Sequence, residues 1–394
     1  MKPNLRLPAL AVAGILSAIG FTAHCAPGRM RITFSGYAGD ETLRNFPALI
    51  TFANLRDSMF AEFPFTATTA YDLRFYDESG KTLDYEIDSF KPNSKLNAWV
   101  KIPELKPDGK TYITATWGDP AKTGQLPCTT NGAVWVNNYL LVQHYEESGN
   151  TVSDSAPLKR NGKIITPPPA DAYAEGRIGL AANLSANNRN NGIVLDKPLP
   201  LGNEWTIGVW FKNLLPADEY RTLARGNSHH HVLIEKGSHR IGAWIARFYP
   251  TSNSAEITPD TPPRWRHLTA VGKESSTTFF LDGKFIGTVN SRTVDDIIGI
   301  GCTQVPPNHQ KFANYLDEFR IAGRARSADW IRAEYDNQKP DSAFLSFRRI
   351  TSQHTETLNF PPPEKSPLYR YRFLGFLVFP LIAVSWFFLS KKDK

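Results

Sequence analysis

Three groups of side chains in this 394-residue chain have types and spacings that could do chemistry. The most unusual is His229-His230-His231. Alternate residues of a strand share a face, so His229 and His231 would lie side by side, a spacing that can ligate a metal ion. Glu235 and His239 could approach them through a hairpin; a packed cluster of sheet histidines fits the same residues. Glu86-Ile87-Asp88 sets two carboxylates at alternate positions. Glycoside hydrolysis needs two carboxylates across the scissile bond, and a Glu-x-Asp-x-Glu strand aims its acids into one cleft. Here the third position is Phe90. Asp317 and Glu318 are adjacent, so a regular strand would send them to opposite faces. No acid pair for retaining or inverting hydrolysis emerges, and no phosphate loop, nucleophile elbow or zinc ribbon is present.

Other reactive or sticky groups are less specific. Cys128 and Cys302 lack metal-ligand spacing; they could bridge distant parts of the chain or remain two buried thiols. Trp135, Trp210, Trp244 and Trp265 could stack on sugar rings, but each falls in a strand pattern where core packing is the commoner role. The net charge of +7 is spread among acidic residues without a basic run, which argues against nucleic acid as a partner.

The elements that must position these groups are mostly strands. Aromatic residues make up 12% of the chain, with 27 Gly and 29 Pro, a balance suited to strands and turns. Between Met30 and Asp119 apolar and polar residues alternate: Met30, Ile32 and Phe34 against Arg31, Thr33 and Ser35; Leu96, Ala98, Val100 and Ile102 against Asn97 and Lys101. Turn signals at Ser79-Gly80, Pro92-Asn93 and Asp108-Gly109 separate the runs, which predicts one antiparallel β-sandwich. A second strand-rich region covers 133–347, with Trp205, Ile207, Val209 and Phe211 on one face of a strand. Asp282-Gly283 marks a tight hairpin, and Ser327 caps a short helix over 327–337. Large aromatics among many strands fit a jelly roll of two packed sheets.

Two family resemblances follow the same division. Phe34-Ser35-Gly36-Tyr37, Asn45-Phe46-Pro47, Asp72-Leu73-Arg74-Phe75, Trp99-Val100-Lys101-Ile102-Pro103 and Trp117-Gly118-Asp119-Pro120 stand in the order seen in the DUF2341 domain, so 28–120 resembles that family. The resemblance implies a fold and a context but no mechanism. Glu204-Trp205-Thr206-Ile207, Trp265-Arg266-His267-Leu268, Phe280-Leu281-Asp282-Gly283-Lys284 and Leu316-Asp317-Glu318-Phe319-Arg320-Ile321 resemble the laminin-G-like, concanavalin A-like jelly roll. That resemblance implies a structural Ca2+ ion, with Glu146 and Asp317 where the family pattern would put its ligands.

The chain ends carry their own signals. Lys2 and Arg6 precede an apolar stretch from Leu7 to Phe21, and small residues around Ala23 and Cys25 suit cleavage before Ala26, giving a signal peptide over 1–25. Cys25 also raises a lipoprotein reading, against which His24 is not the small residue a lipobox wants. Phe373–Ser390 holds no charge and would span about 27 Å as a helix, close to a hydrocarbon core. It reads as a C-terminal transmembrane helix, followed by a lysine-bearing tail (391–394) and preceded by a Pro-rich stalk (348–372). With a signal peptide, the body is extracytoplasmic, in the periplasm or at the cell surface, and the C-terminus cytoplasmic.

The expected fold class is therefore all-β: two β-sandwiches, the second a concanavalin A-like jelly roll, plus one transmembrane helix. The expected function is a non-catalytic, envelope-anchored binding or adhesion protein that recognises a glycan or another envelope protein. Two alternatives stay open: an accessory subunit of an inner-membrane proton-channel or transport complex, and a glycoside hydrolase.

Overall fold

The computed structural model describes residues 28–53, 69–92, 94–165, 171–185, 191–302, 310–350 and 355–358. Residues 1–25, expected to form a signal peptide, the apolar stretch 373–390, the tail and most of the Pro-rich segment lie outside the described residues. Among the described residues, no helix is long and apolar enough to cross a membrane.

Alternating burial builds the first sandwich. Met30, Ile32 and Phe34 are fully enclosed, whereas Arg31 and Thr33 are half-buried. One sheet runs in the order Thr355–Leu358, Ser346–Ile350, Gly28–Thr33, Tyr112–Trp117, Arg74–Tyr76. The other has three strands, with Lys95–Leu105 between Leu43–Ala53 and Tyr85–Lys91. The two outermost C-terminal strands correct the expected boundary: an extended stalk does not begin at residue 348. Met30 pairs with Arg349 and Ile32 with Phe347, so the chain returns after the jelly roll to complete the first sandwich.

The second sandwich packs two eight-stranded sheets. In one, Ala313–Ala322 lies between Trp205–Leu214 and Tyr139–Gln143. The other carries Arg221–Arg225, His229–Ile234, Ile241–Ile245 and Arg247–Pro250 in succession. The Asp282-Gly283 hairpin forms as expected, both residues having positive φ (52° and 72°) as its turn requires. Cys128 is half-buried, Cys302 is buried, and both are free thiols.

The helix Ala328–Gln338 wedges the sandwiches together. Ser327 caps it, its side chain accepting from the Trp330 amide at 3.1 Å. Trp330 meets Phe46 of the first sandwich edge-on, with centroids 5.1 Å apart. Ile331 packs on Val271 and Phe280 of the second. One apolar core is continuous from Met30 and Trp99 to Trp135, Tyr139 and Trp330, so the two sandwiches share an interior.

Candidate functional site

The junction between the sandwiches encloses a charged cluster. Strand Tyr85–Lys91 brings Glu86 and Asp88 from the first sandwich. Strand Tyr139–Gln143 pairs with Ala313–Ala322, Gln143 opposite Phe319, which sets His144 beside Glu318. His144 Nδ1 is 2.9 Å from Glu318 Oε1 and 3.2 Å from Asp88 Oδ1, and its Nε2 is 3.9 Å from Glu86 Oε2. Exposure is negligible: the side chains of Asp88 and Glu318 are 0% and 1% accessible.

Each carboxylate has its own donors. Arg320 Nη2 donates to Glu318 Oε2 at 2.6 Å and Nη1 to Glu334 at 3.0 Å. Trp99 Nε1 donates to Asp88 Oδ1 at 3.3 Å, and Ser89 Oγ donates to its Oδ2 at 3.0 Å. Trp135 and Ser155 donate to Glu86 at 2.6 and 2.7 Å. The Arg320 guanidinium lies over the Trp99 and Trp135 rings at 4.0 and 4.8 Å, a cation–π arrangement screened from water.

Electrostatics follow from this enclosure. Burial opposes a charged His144, but Glu318, Asp88 and Glu86 outweigh it and hold the imidazole up at about 10. Glu318 is also disfavoured by burial, yet His144 and Arg320 pull it down to about 2. Asp88 goes the other way, raised well above the usual carboxylate range by burial and the Glu318 charge.

Adjacent Asp317 and Glu318 do not separate onto an exposed and a buried face as a regular strand would place them. Glu318 adopts a positive φ of 51°, and the pairing with Trp205–Leu214 shifts register between Gly208 and Trp210. This irregularity leaves both carboxylates enclosed, Asp317 at 0% and Glu318 at 2%.

Glu146 and Asp317, the residues the jelly-roll resemblance assigns to calcium, converge on one hairpin. Asp317 Oδ2 accepts from the Ile178 amide at 2.8 Å, and Glu146 Oε1 accepts from the Leu180 amide at 2.5 Å. Gly179 is needed there: its φ is +57°, and a Cβ would meet Glu146 Oε1 at 1.7 Å. Burial pushes Glu146 up to about 7. Neither residue belongs to the one group of three or more metal-capable side chains among the described residues, which is Asp88, His144 and Glu318.

His229 and His231 do share a strand, but at different depths. His231 is fully buried edge-on to Trp205, its Nε2–H donating to the Asp295 carbonyl at 2.9 Å. His229 is half-buried, with Nδ1 accepting from the Val294 amide at 3.3 Å. His230 points outward, Nδ1 against the Thr222 hydroxyl at 2.8 Å. The four tryptophans also divide. Trp135 and Trp210 are buried, Trp135 in the shared core, whereas Trp244 and Trp265 are half-buried.

Trp244 belongs to a cross-strand row on the outer side of its sheet: Arg225 pairs with His230, His230 with Trp244, and Trp244 with Phe248. Tyr220 meets the Trp244 ring edge-on at 5.7 Å. All five side chains are half-buried. The outer side of the opposite sheet is occupied differently, Tyr335 of the helix stacking on Trp210 at 5.7 Å.

Residues 187–332 match the model of the concanavalin A-like lectin/glucanases superfamily. Residues 69–152 match that of a domain of unknown function, DUF2341. The chain joins a DUF2341 segment to a concanavalin A-like one. The DUF2341 match runs through Glu86 and Asp88 to His144, so the charged cluster forms where the two matched segments meet. A search of curated proteins gives no match. Among solved structures, domain 4 of AbnA, a GH43 extracellular arabinanase from Geobacillus stearothermophilus, in complex with arabinotriose, is 17% identical; the similarity covers 51% of this chain and 98% of that one, with a TM-score of 0.40. The binding domain of Paraclostridial Mosquitocidal Protein 1 is 18% identical over 50% of this chain and 52% of its own, at a TM-score of 0.37. The binding domain of Botulinum Neurotoxin DC in complex with SialylT is 11% identical over 52% of each chain, at 0.38. The chain spans about half the length of these two toxin domains.

Sequence reasoning missed His144, Glu318 and Arg320 as a set. The available signal was a polar run, Gln143-His144-Tyr145-Glu146, directly after the apolar Tyr139–Val142. Such a run on a strand leaving a core needs partners, but nothing local names them.

Proposed function

We propose that the protein is a binding protein anchored in the cell envelope, with its two sandwiches outside the cytoplasm and the jelly roll recognising carbohydrate. The observation that carries this reading is the row Arg225–His230–Trp244–Phe248, bordered by Tyr220, on the outer face of a jelly-roll sheet. A half-buried indole fixed by neighbours offers a flat apolar face for a sugar ring, while the guanidinium and imidazole beside it can hydrogen-bond hydroxyl groups. The superfamily matched by residues 187–332 is named for lectins and glucanases, both directed at carbohydrate, which supports carbohydrate as the ligand.

A hydrolytic role is less well supported. Asp88 and Glu318, two carboxylates that meet at His144, are closed to solvent, and His144 and Arg320 pair with them. A glycosidase acid pair must reach substrate from both sides of a bond.

The apolar segment 373–390 and the leader-like 1–25 support export and anchoring. A glycan array probed with the full-length protein in detergent tests the reading. Binding to one class of glycan is expected. No binding to any glycan, with capture of an envelope protein instead, would replace carbohydrate by a protein ligand.

A further inference from the structure

We propose that Asp88, His144 and Glu318 form a binding site for one divalent transition-metal ion, zinc foremost, which ties the first sandwich to the jelly roll. The three residues come from three separate strands or their ends, and their ligand atoms lie within 4.8 Å of one another. The two nearest separations, 2.9 Å from His144 Nδ1 to Glu318 Oε1 and 3.2 Å to Asp88 Oδ1, match adjacent ligand positions around an ion. With metal–ligand bonds of about 2.0–2.2 Å, neighbouring ligands sit roughly 3 Å apart.

The histidine's hydrogen bonding points the same way. Both carboxylates beside Nδ1 already have other donors, and Nε2 is buried with no hydrogen-bond partner. If Nδ1 instead turns its lone pair to an ion, Nε2 carries the proton and directs it at Glu86, whose Oε2 is 3.9 Å away. A carboxylate behind the second ring nitrogen is the usual outer partner of a metal-bound histidine. The other two ligands have outer partners as well: Ser89 and Trp99 hold Asp88, and Arg320 holds Glu318 through Oε2, leaving Oε1 for the ion.

A second buried group is unsatisfied nearby. Asp317 Oδ1 is enclosed without a partner, within electrostatic reach of Glu318 and Asp88. An ion bound at Nδ1 would take the place of the imidazolium proton beside Glu318 and Asp88 and supply positive charge to the same two carboxylates. One imidazole with carboxylate oxygens suits zinc or a neighbouring transition ion better than calcium, which takes oxygen ligands. A cleft of about 700 Å³ between the sandwiches is lined by Glu86, the outer partner of His144.

The test is metal retention by the full-length protein. After chelator treatment, exposure to zinc chloride and gel filtration, elemental analysis should find one zinc per chain. Asp88→Asn and His144→Gln should each abolish retention, and Glu86→Gln should weaken it about 10- to 100-fold. His229→Ala/His231→Ala should leave it unchanged. If the ligand substitutions prevent folding, cobalt titration of the unaltered protein decides: saturable visible bands at one equivalent, displaced by zinc, support the site. Failure of the unaltered protein to retain zinc or develop cobalt bands overturns it, as does undiminished retention in folded Asp88→Asn and His144→Gln variants.

Discussion

The side-chain amide of Asn337, on the wedge helix, brackets the backbone of Leu49 in the first sandwich: Oδ1 accepts from the Leu49 N–H at 2.6 Å, and Nδ2 donates to its carbonyl at 3.0 Å. Both groups are buried, so the amide serves as a short strand for the edge of Leu43–Ala53. An element from the second half of the chain thereby completes the hydrogen bonding of the first.

Asn337→Leu keeps the approximate volume and strands both backbone groups of Leu49. An unsatisfied buried polar group costs about 1–3 kcal/mol, so the variant should lose roughly 2–4 kcal/mol of stability by denaturant titration. A loss below about 0.5 kcal/mol would mean that water replaces the amide.

The shared core predicts that the two sandwiches unfold together. Trp99, Trp135 and Trp330 belong to one apolar cluster, and Ser346–Ile350 closes a sheet begun by Gly28–Thr33. Calorimetry of the full-length protein should show one transition for both. Arg320→Met removes the partner of two buried carboxylates and should cost about 3–5 kcal/mol of stability, moving that single transition to lower temperature. Two separate transitions would show that the sandwiches are independent.

Much of this architecture was legible because it is local. The alternation of Met30, Ile32 and Phe34, the Asp282-Gly283 turn and the Ser327 cap each depend on a few neighbouring residues. The return of Ser346–Ile350 to the first sandwich was not, because pairing Met30 with Arg349 leaves no mark in either segment. The candidate site was hidden for the same reason. Glu86-Ile87-Asp88 is visible as a local motif, but its meaning depends on His144 and Glu318, which reach it only through the fold. The Glu318 backbone also defeats the period-two rule that would separate it from Asp317.

Acid should destabilise the jelly roll through its buried histidines. Burial pushes His231 down to about 3 and His230 down to about 4, below the ordinary value of 6.5. The fold therefore prefers neutral rings, while the unfolded chain takes up protons below about pH 6.5. Stability from this source is complete above pH 6.5 and falls as pH drops toward 3. His231→Phe should remove close to one proton from the uptake on unfolding between pH 4 and 6, or about 1.4 kcal/mol per pH unit of slope, even if it lowers stability at pH 8. An unchanged slope would mean that His231 is already charged in the fold.

Carbohydrate binding by the jelly roll is assigned to the outer face that carries Trp244. Calorimetric titration of the best array glycan into full-length protein, with and without Trp244→Ala, tests it most directly. The ring is half-buried and lies outside the core clusters, so the variant should stay folded, with binding at least about tenfold weaker, equivalent to about 1.4 kcal/mol. Equal affinity in the folded variant would contradict the claim and move the binding surface elsewhere on the molecule.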